Sequence, residues 1–160
     1  MYKAKKKFGQ HFLNDQSIAQ QIIDSADLQS DDYVWEIGPG MGILTDILIK
    51  KNISLSVFEI DNDLIPILKK KYSGDCQLYH SDILKIDWKS QISEKKIKIV
   101  TNLPYQISSP FLYKLTENFT NLKSVVLMLQ KEVAKRLCAK PGKKDYGVLT
   151  LKTGYYFQTE

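Results

Sequence analysis

Apolar and polar positions along the chain follow two rhythms. Short apolar runs bounded by polar or glycine-rich stretches predict five strands: "YVWEI" (Tyr33 to Ile37), "SLSVFEID", "CQLYHSD", "KIKIVTN" and "SVVLMLQ". Between them, apolar residues recur at helical spacing. "NDQSIAQQIIDSADL" places Ile18, Ile22 and Ile23 on one helix face, with Asn14 or Asp15 as cap. "ILTDILIKK", "DLIPILKKKY", "PFLYKLTEN" and "KEVAKRLCAK" predict further helices, with Pro66 near a first turn where proline is tolerated. In "VLTLKTGYY", Val148, Leu151 and Tyr155 favour a last helix. The fifth strand is apolar enough to predict burial on both faces.

Strand and helix alternate at the spacing of β-α units, without an internal repeat or low-complexity linker. That pattern predicts one domain, 1–160, built as a doubly wound, mostly parallel sheet with helices on both faces. In such sheets ligands bind beyond the carboxyl ends of the strands. Here the first four ends carry Glu36-Ile37-Gly38, Glu59-Ile60-Asp61, Ser81-Asp82 and Thr101-Asn102. Each is polar.

Composition changes the picture only a little. The 160 residues are 43% hydrophobic, and no window approaches an uninterrupted apolar membrane span. "MYKAKKKFGQHFL" has a basic start but no apolar core or cleavage site of a secretory signal. Cys76 and Cys138 lie far apart, which suits reduced thiols in a cytosolic protein, and His11 and His80 lack ligand-spaced partners for a metal. The net charge is +5, concentrated in Lys3, Lys5, Lys6 and Lys7 and in the loop with Lys140, Lys143 and Lys144. A phosphate backbone would be attracted to both clusters, although surface lysines also simply solubilise.

Candidate chemistry starts at Gly38, Gly40 and Gly42, a G-x-G-x-G turn directly after the first strand. Glycines there let the backbone turn sharply and approach a ligand. The dinucleotide fingerprint needs a third glycine where this chain has Ile43, which disfavours a nicotinamide dehydrogenase. Glu36 is placed to orient the loop or to meet a cationic ligand. Glu59 can accept from both hydroxyls of a ribose, and Asp82 from the exocyclic amine of an adenine held between Ile60 and Ile83. A ribose and an adenine without a pyrophosphate describe S-adenosylmethionine.

"TNLPYQISSP" follows the fourth strand, and its Asn102-Leu103-Pro104-Tyr105 resembles the [Asn/Asp/Ser]-Pro-Pro-[Tyr/Phe] motif of amino-methyltransferases. Proline fixes its φ and carries no N–H, and a tyrosine offers a flat face for an extruded base. Together with "FGQHFLND", "EIGPGMGILT", "EID", "SD" and "LQKEVAKRL", from about Lys5 to Tyr156, the chain resembles the small-subunit rRNA adenine dimethyltransferases. Large-subunit methylases of the resistance type share the early motifs but look less similar at "NLPYQISSP" and "LQKEVAKR".

The resemblance implies a Rossmann-like, class I S-adenosylmethionine-dependent methyltransferase fold and dimethylation of two adjacent adenines near the 3′ end of small-subunit rRNA. It implies that His11 and Leu13 close over the cofactor, Gly38 and Gly40 line it, Glu59 holds the ribose and Asp82 the adenine. Asn102 would touch both cofactor and base, with Leu103, Pro104 and Tyr105 completing the catalytic set. Thr101 stands where relatives commonly have glycine. Relatives continue with further strands and a helical C-terminal domain, so the sheet is expected to lack its last strands. Expected partners are small-subunit rRNA and the assembling small ribosomal subunit, with no membrane, for a cytoplasmic monomer. The alternatives are a non-catalytic cofactor- or RNA-binding remnant of that family, or a large-subunit methylase.

Overall fold

The computed structural model describes residues 12–92 and 96–160. Its elements follow the two rhythms: α1 (Gln16–Ser25), β1 (Tyr33–Ile37), α2 (Thr45–Leu48), β2 (Ser54–Glu59), α3 (Leu64–Lys71), β3 (Gln77–His80), α4 (Trp88–Gln91), β4 (Ile97–Asn102), α5 (Ser108–Glu117), β5 (Leu122–Met128), α6 (Lys131–Leu137) and α7 (Val148–Tyr156). Asp15 caps α1: its side chain accepts from the backbone N–H groups of Ser17 and Ile18, two donors the first helical turn leaves unpaired.

All strand pairs are parallel, in the order β3-β2-β1-β4-β5. The order reverses between β1 and β4, the switch point at which a doubly wound sheet opens a crevice. Because side chains alternate along a strand, each strand feeds two cores. Trp35, Ile37, Phe58 and Ile99 join Trp88 of α4 and Phe111, Leu112 and Leu115 of α5. Val34, Leu55, Val57 and Val100 join Ala19, Ile22 and Ile23 of α1 and Leu44 and Leu48 around α2. A third, smaller cluster packs Leu64, Leu68 and Tyr72 against Phe12.

At the amino end of the strands a polar cluster closes the sheet. Lys98, only 4% exposed, pairs with Asp32 Oδ2 at 2.9 Å and donates to the carbonyls of Ala26 and Asp27. Asp32 also takes Lys123 at 2.8 Å and the Gln29 N–H at 2.7 Å.

Two expectations need correction. "ILTDILIKK" yields only the short helix Thr45–Leu48, because the preceding residues stay in the turns of the glycine loop. β5 is only partly buried beyond Leu122: Val125 and Leu127 pack against one core and Val126 and Met128 against the other, but the strand lies at the sheet edge among the described residues and none of these is fully covered. The last helix forms, but Val148, Leu151 and Tyr155 are its exposed face (56–82% exposed), while Leu149 and the following Phe157 pack into the core. Helical spacing named this element, and packing decides its buried side.

Candidate functional site

Along β1 and β2 the pairing continues to Ile37 and Phe58, whereas the β1–β4 register ends at Trp35 and Ile99. Above that point the two central strands part. The Thr101 hydroxyl holds the gap to a fixed width by donating to the Ile37 carbonyl at 2.5 Å. Thr101 is thus a stitch at the base of a cleft. Into that cleft open Leu13, Gly38, Gly40, Glu59, Asp82, Asn102, Leu103, Pro104 and Tyr105. The structure brings together every candidate within the described residues. His11, the cofactor-closing candidate, lies outside them, as does the basic cluster of Lys3, Lys5, Lys6 and Lys7.

The glycine loop is built for close approach. Gly38 and Gly40 have φ of +65° and +59°, a region open to glycine but costly for residues with a Cβ. A Cβ on Gly38 would lie 3.4 Å from the Pro104 ring, so the loop after β1 and the knot after β4 are in near contact. A Cβ on Gly40 would lie 2.7 Å from the Phe12 ring. Phe12 also lines the cleft, and is a site residue the sequence reading passed over between His11 and Leu13.

The three acids differ in environment. Glu36 is 1% exposed and accepts from the Thr45 hydroxyl at 2.7 Å, which ties β1 to the start of α2. Burial pushes its carboxyl up to about 8, opposed by Thr45 and reinforced by the nearby charges of Asp46 and Glu59. Of the two roles open to it, orientation of the loop is the one its contacts serve. Glu59 is 4% exposed, and its Oε1 accepts from the Ile60 and Asp61 N–H groups at 2.8 Å each. Burial raises this carboxyl above the usual range, while the N–H groups of Asp61, Ile60 and Gly40 pull it the other way. Asp82 caps the turn after β3: its Oδ1 accepts from Leu84 N–H at 3.0 Å and its Oδ2 lies 3.7 Å from Lys85. Beside it, the Ser81 hydroxyl is out of reach of solvent and has no protein partner, although it too lines the cleft. Ile60 is 42% exposed and Ile83 is buried in the core at 3%, both at the cleft wall.

The knot is ordered from both sides. Asn102 is the last residue of β4 and stands opposite Met128, whose carbonyl accepts from Leu103 N–H at 3.3 Å. The Leu103 side chain is buried at 1%, anchoring the backbone beneath the cleft. Pro104 has φ −56°, and its carbonyl accepts from Ile107 N–H at 3.1 Å in the single 3₁₀ turn Tyr105–Ile107 that leads into α5. Tyr105 is half-buried at the cleft wall. Among the described residues, no group of three or more His, Cys, Asp or Glu side chains could hold a metal ion. No helix there is long and apolar enough to cross a membrane.

Known proteins match both the sequence and the fold. Residues 1–160 match the family described as ribosomal RNA adenine dimethylase. A ribosomal RNA small subunit methyltransferase A of Clostridium acetobutylicum is 42% identical over 158 residues, which cover 97% of this chain and 57% of that protein. The crystal structure of a dimethyladenosine transferase from Plasmodium falciparum superposes with TM-score 0.77 and 35% identity, covering 89% of this chain and 51% of the other. That of the 23S rRNA methyltransferase ErmE gives 0.71 and 27%, covering 79% and 50%. The chain thus spans little more than half the length of these relatives. Its architecture is the Rossmann-like fold of class I methyltransferases, and the chain belongs to the ribosomal RNA adenine dimethylase family.

Proposed function

We propose that this domain binds S-adenosylmethionine in the cleft and transfers methyl groups to the N6 of two adjacent adenines near the 3′ end of small-subunit rRNA. One observation carries the reading: the Asn102–Tyr105 knot opens on the same cleft as the glycine loop, Glu59 and Asp82, and Pro104 lies against Gly38. The cleft suits the cofactor. A loop that lacks a Cβ at Gly38 and Gly40 admits close approach to its backbone, Glu59 meets the ribose, and Asp82 with the orphaned Ser81 hydroxyl offers polar contacts to the adenine. His11 and Leu13 close over it. When bound, the cofactor supplies an electrophilic sulfonium methyl.

The protein's task is positioning and electrostatics. The adenine N6 lone pair is delocalised into the ring, so the amine must be turned toward a tetrahedral geometry. The Asn102 side-chain oxygen and a backbone carbonyl accept its two hydrogens. Because the Pro104 carbonyl already accepts from Ile107, the Leu103 carbonyl is the better second acceptor. Tyr105 stacks on the extruded base. As the methyl bonds to nitrogen, N6 becomes acidic and its proton passes to water, so no strong general base is required. The exposed lysines at 140, 143 and 144 meet the phosphates of the single-stranded or looped substrate. The partner is the assembling small subunit, and the protein works as a cytoplasmic monomer.

The test is incubation with labelled cofactor and undermethylated small subunits, then analysis for labelled dimethyladenine. Label in small-subunit dimethyladenine supports the reading. Cofactor binding without label, or label only in large-subunit rRNA, refutes it in favour of a binding remnant or a large-subunit methylase.

A further inference from the structure

The chemistry of the cleft depends on a glycine loop that has no regular structure to hold its shape. Two consecutive residues at the end of α3 reach back to it across about thirty positions. The Lys71 ammonium donates to the Met41 carbonyl at 3.2 Å and pairs with Asp46 at 2.7 Å. The Tyr72 hydroxyl lies 2.8 Å from the Gly42 carbonyl and 2.7 Å from Asp46 Oδ1, sharing one proton between two acceptors. Tyr72 is 4% exposed, and burial raises its phenol far above the usual range, so it stays a donor. The fit is tight. A Cβ on Gly42 would fall 2.0 Å from the Tyr72 oxygen, and Gly42 sits at φ +87°. The same tyrosine packs in the cluster with Phe12, whose ring covers Gly40.

We infer that Tyr72 and Lys71 are positioning residues for the cofactor: they clamp the carbonyls of residues 41 and 42, so the loop is presented in its binding shape before a ligand arrives. The third glycine of the G-x-G-x-G turn then has its own reason. Gly38 and Gly40 leave room on the cleft side, whereas Gly42 leaves room for the tyrosine oxygen behind. Pre-organisation of this kind lowers the ordering cost that binding would otherwise meet. The clamp also ties the segment at Phe12 to the loop, since Phe12 packs in the cluster that holds Tyr72 and its ring covers Gly40.

The inference rests on the S-adenosylmethionine reading, and the experiment separates the two. Cofactor affinity is measured by calorimetry for the wild-type chain, for Tyr72→Phe, which keeps the ring and removes the hydroxyl, and for Lys123→Ala, which weakens the ion cluster at the far end of the sheet. Amide hydrogen exchange at residues 38–42 is followed in the same ligand-free proteins. The clamp predicts roughly fivefold weaker binding for Tyr72→Phe, the value of one lost hydrogen bond, with faster exchange in the loop. Lys123→Ala lowers the melting temperature and leaves both readouts unchanged. Equal affinity and equal loop exchange in Tyr72→Phe overturn the clamp while leaving the cofactor reading intact. No binding by the wild-type chain overturns the cofactor reading, and the clamp's role in binding with it.

Discussion

Asp32 immediately precedes β1 and Glu36 lies near its end, so one strand carries a buried carboxyl at each edge of the sheet. Burial alone would raise both. At the amino edge that tendency is overcome: Lys123, the Gln29 N–H and Lys98 hold Asp32 well below the usual carboxylate range. At the carboxyl edge, Glu36 has a threonine hydroxyl and two acidic neighbours, and is pushed up to about 8. The amino edge is therefore a closed account of charges and serves the fold. At the carboxyl edge the buried acids Glu36 and Glu59 are met by hydroxyl and N–H donors, while Lys71 and Lys85 pair with the more exposed Asp46 and Asp82, and the glycine loop and the knot open beside them. Excess polar capacity marks the end that binds.

The sharpest way to break this contrast is to unbalance the closed end. Asp32→Ala would leave Lys98 buried at 4% exposure with only two carbonyls for company. An uncompensated buried charge typically costs about 3–5 kcal/mol, which denaturant titration would read directly. A loss below about 1 kcal/mol would mean that the cluster is solvated in a way its geometry denies. Cofactor affinity of the folded fraction should stay within twofold of wild type.

The binding end is tested by variants that should do the reverse. Asn102→Ala removes the proposed side-chain acceptor for the base while leaving β4 paired to β5 through the backbone. Removal of a single preorganised polar group of this sort costs about 10²–10³ in turnover. Unfolding free energy should barely change, and cofactor binding should weaken only modestly. Near-normal methyl transfer would remove Asn102 from the mechanism. Glu59→Gln is expected to be milder, since the amide oxygen can still take the Ile60 and Asp61 N–H groups. Loss of charge-assisted bonds to a ribose corresponds to roughly tenfold weaker cofactor binding. Unchanged affinity would place the ribose elsewhere.

How much of this was legible beforehand depended on the range of the interaction. The five strands, the parallel order and the convergence of Gly38, Glu59, Asp82 and Asn102 follow from local periodicity plus the rule for strand ends. These are short-range signals. Tyr72 was invisible because its partners, Gly42 and Asp46, are 30 and 26 residues away in sequence, with nothing local to announce them. The same holds for Lys98, buried at the sheet's amino edge against Asp32, 66 residues away in sequence. Val148, Leu151 and Tyr155 named the last helix correctly but not its buried side: periodicity reports an apolar stripe, and only packing decides whether that stripe or Leu149 and Phe157 faces the core. Phe12 stood within a quoted motif, yet its role depends on the shape of Gly40.

The smallest effect sharpens the comparison at its origin, in the pH dependence of stability. Asp32, whose folded value is depressed, contributes stability that is present above the ordinary value of 3.8 and is lost as the pH falls below it. Glu36 has the opposite sign. Its folded value is about 8 against an ordinary 4.5, so between those limits the native state binds the extra proton and stability declines as the pH rises. Glu59, also raised, adds to the same slope, and Cys76, pushed up to about 11 by burial, matters only at more alkaline pH. Glu36→Gln keeps an acceptor for Thr45 and removes the titration. The decline in unfolding free energy between pH 5 and pH 8 should therefore become shallower in the variant, bounded by about 1.4 kcal/mol per pH unit for one group. Stability at pH 5, where Glu36 is protonated in the folded state, should stay near wild type. Parallel curves for the two proteins would show that Glu36 carries its charge at neutral pH, and the contrast with Asp32 would fall.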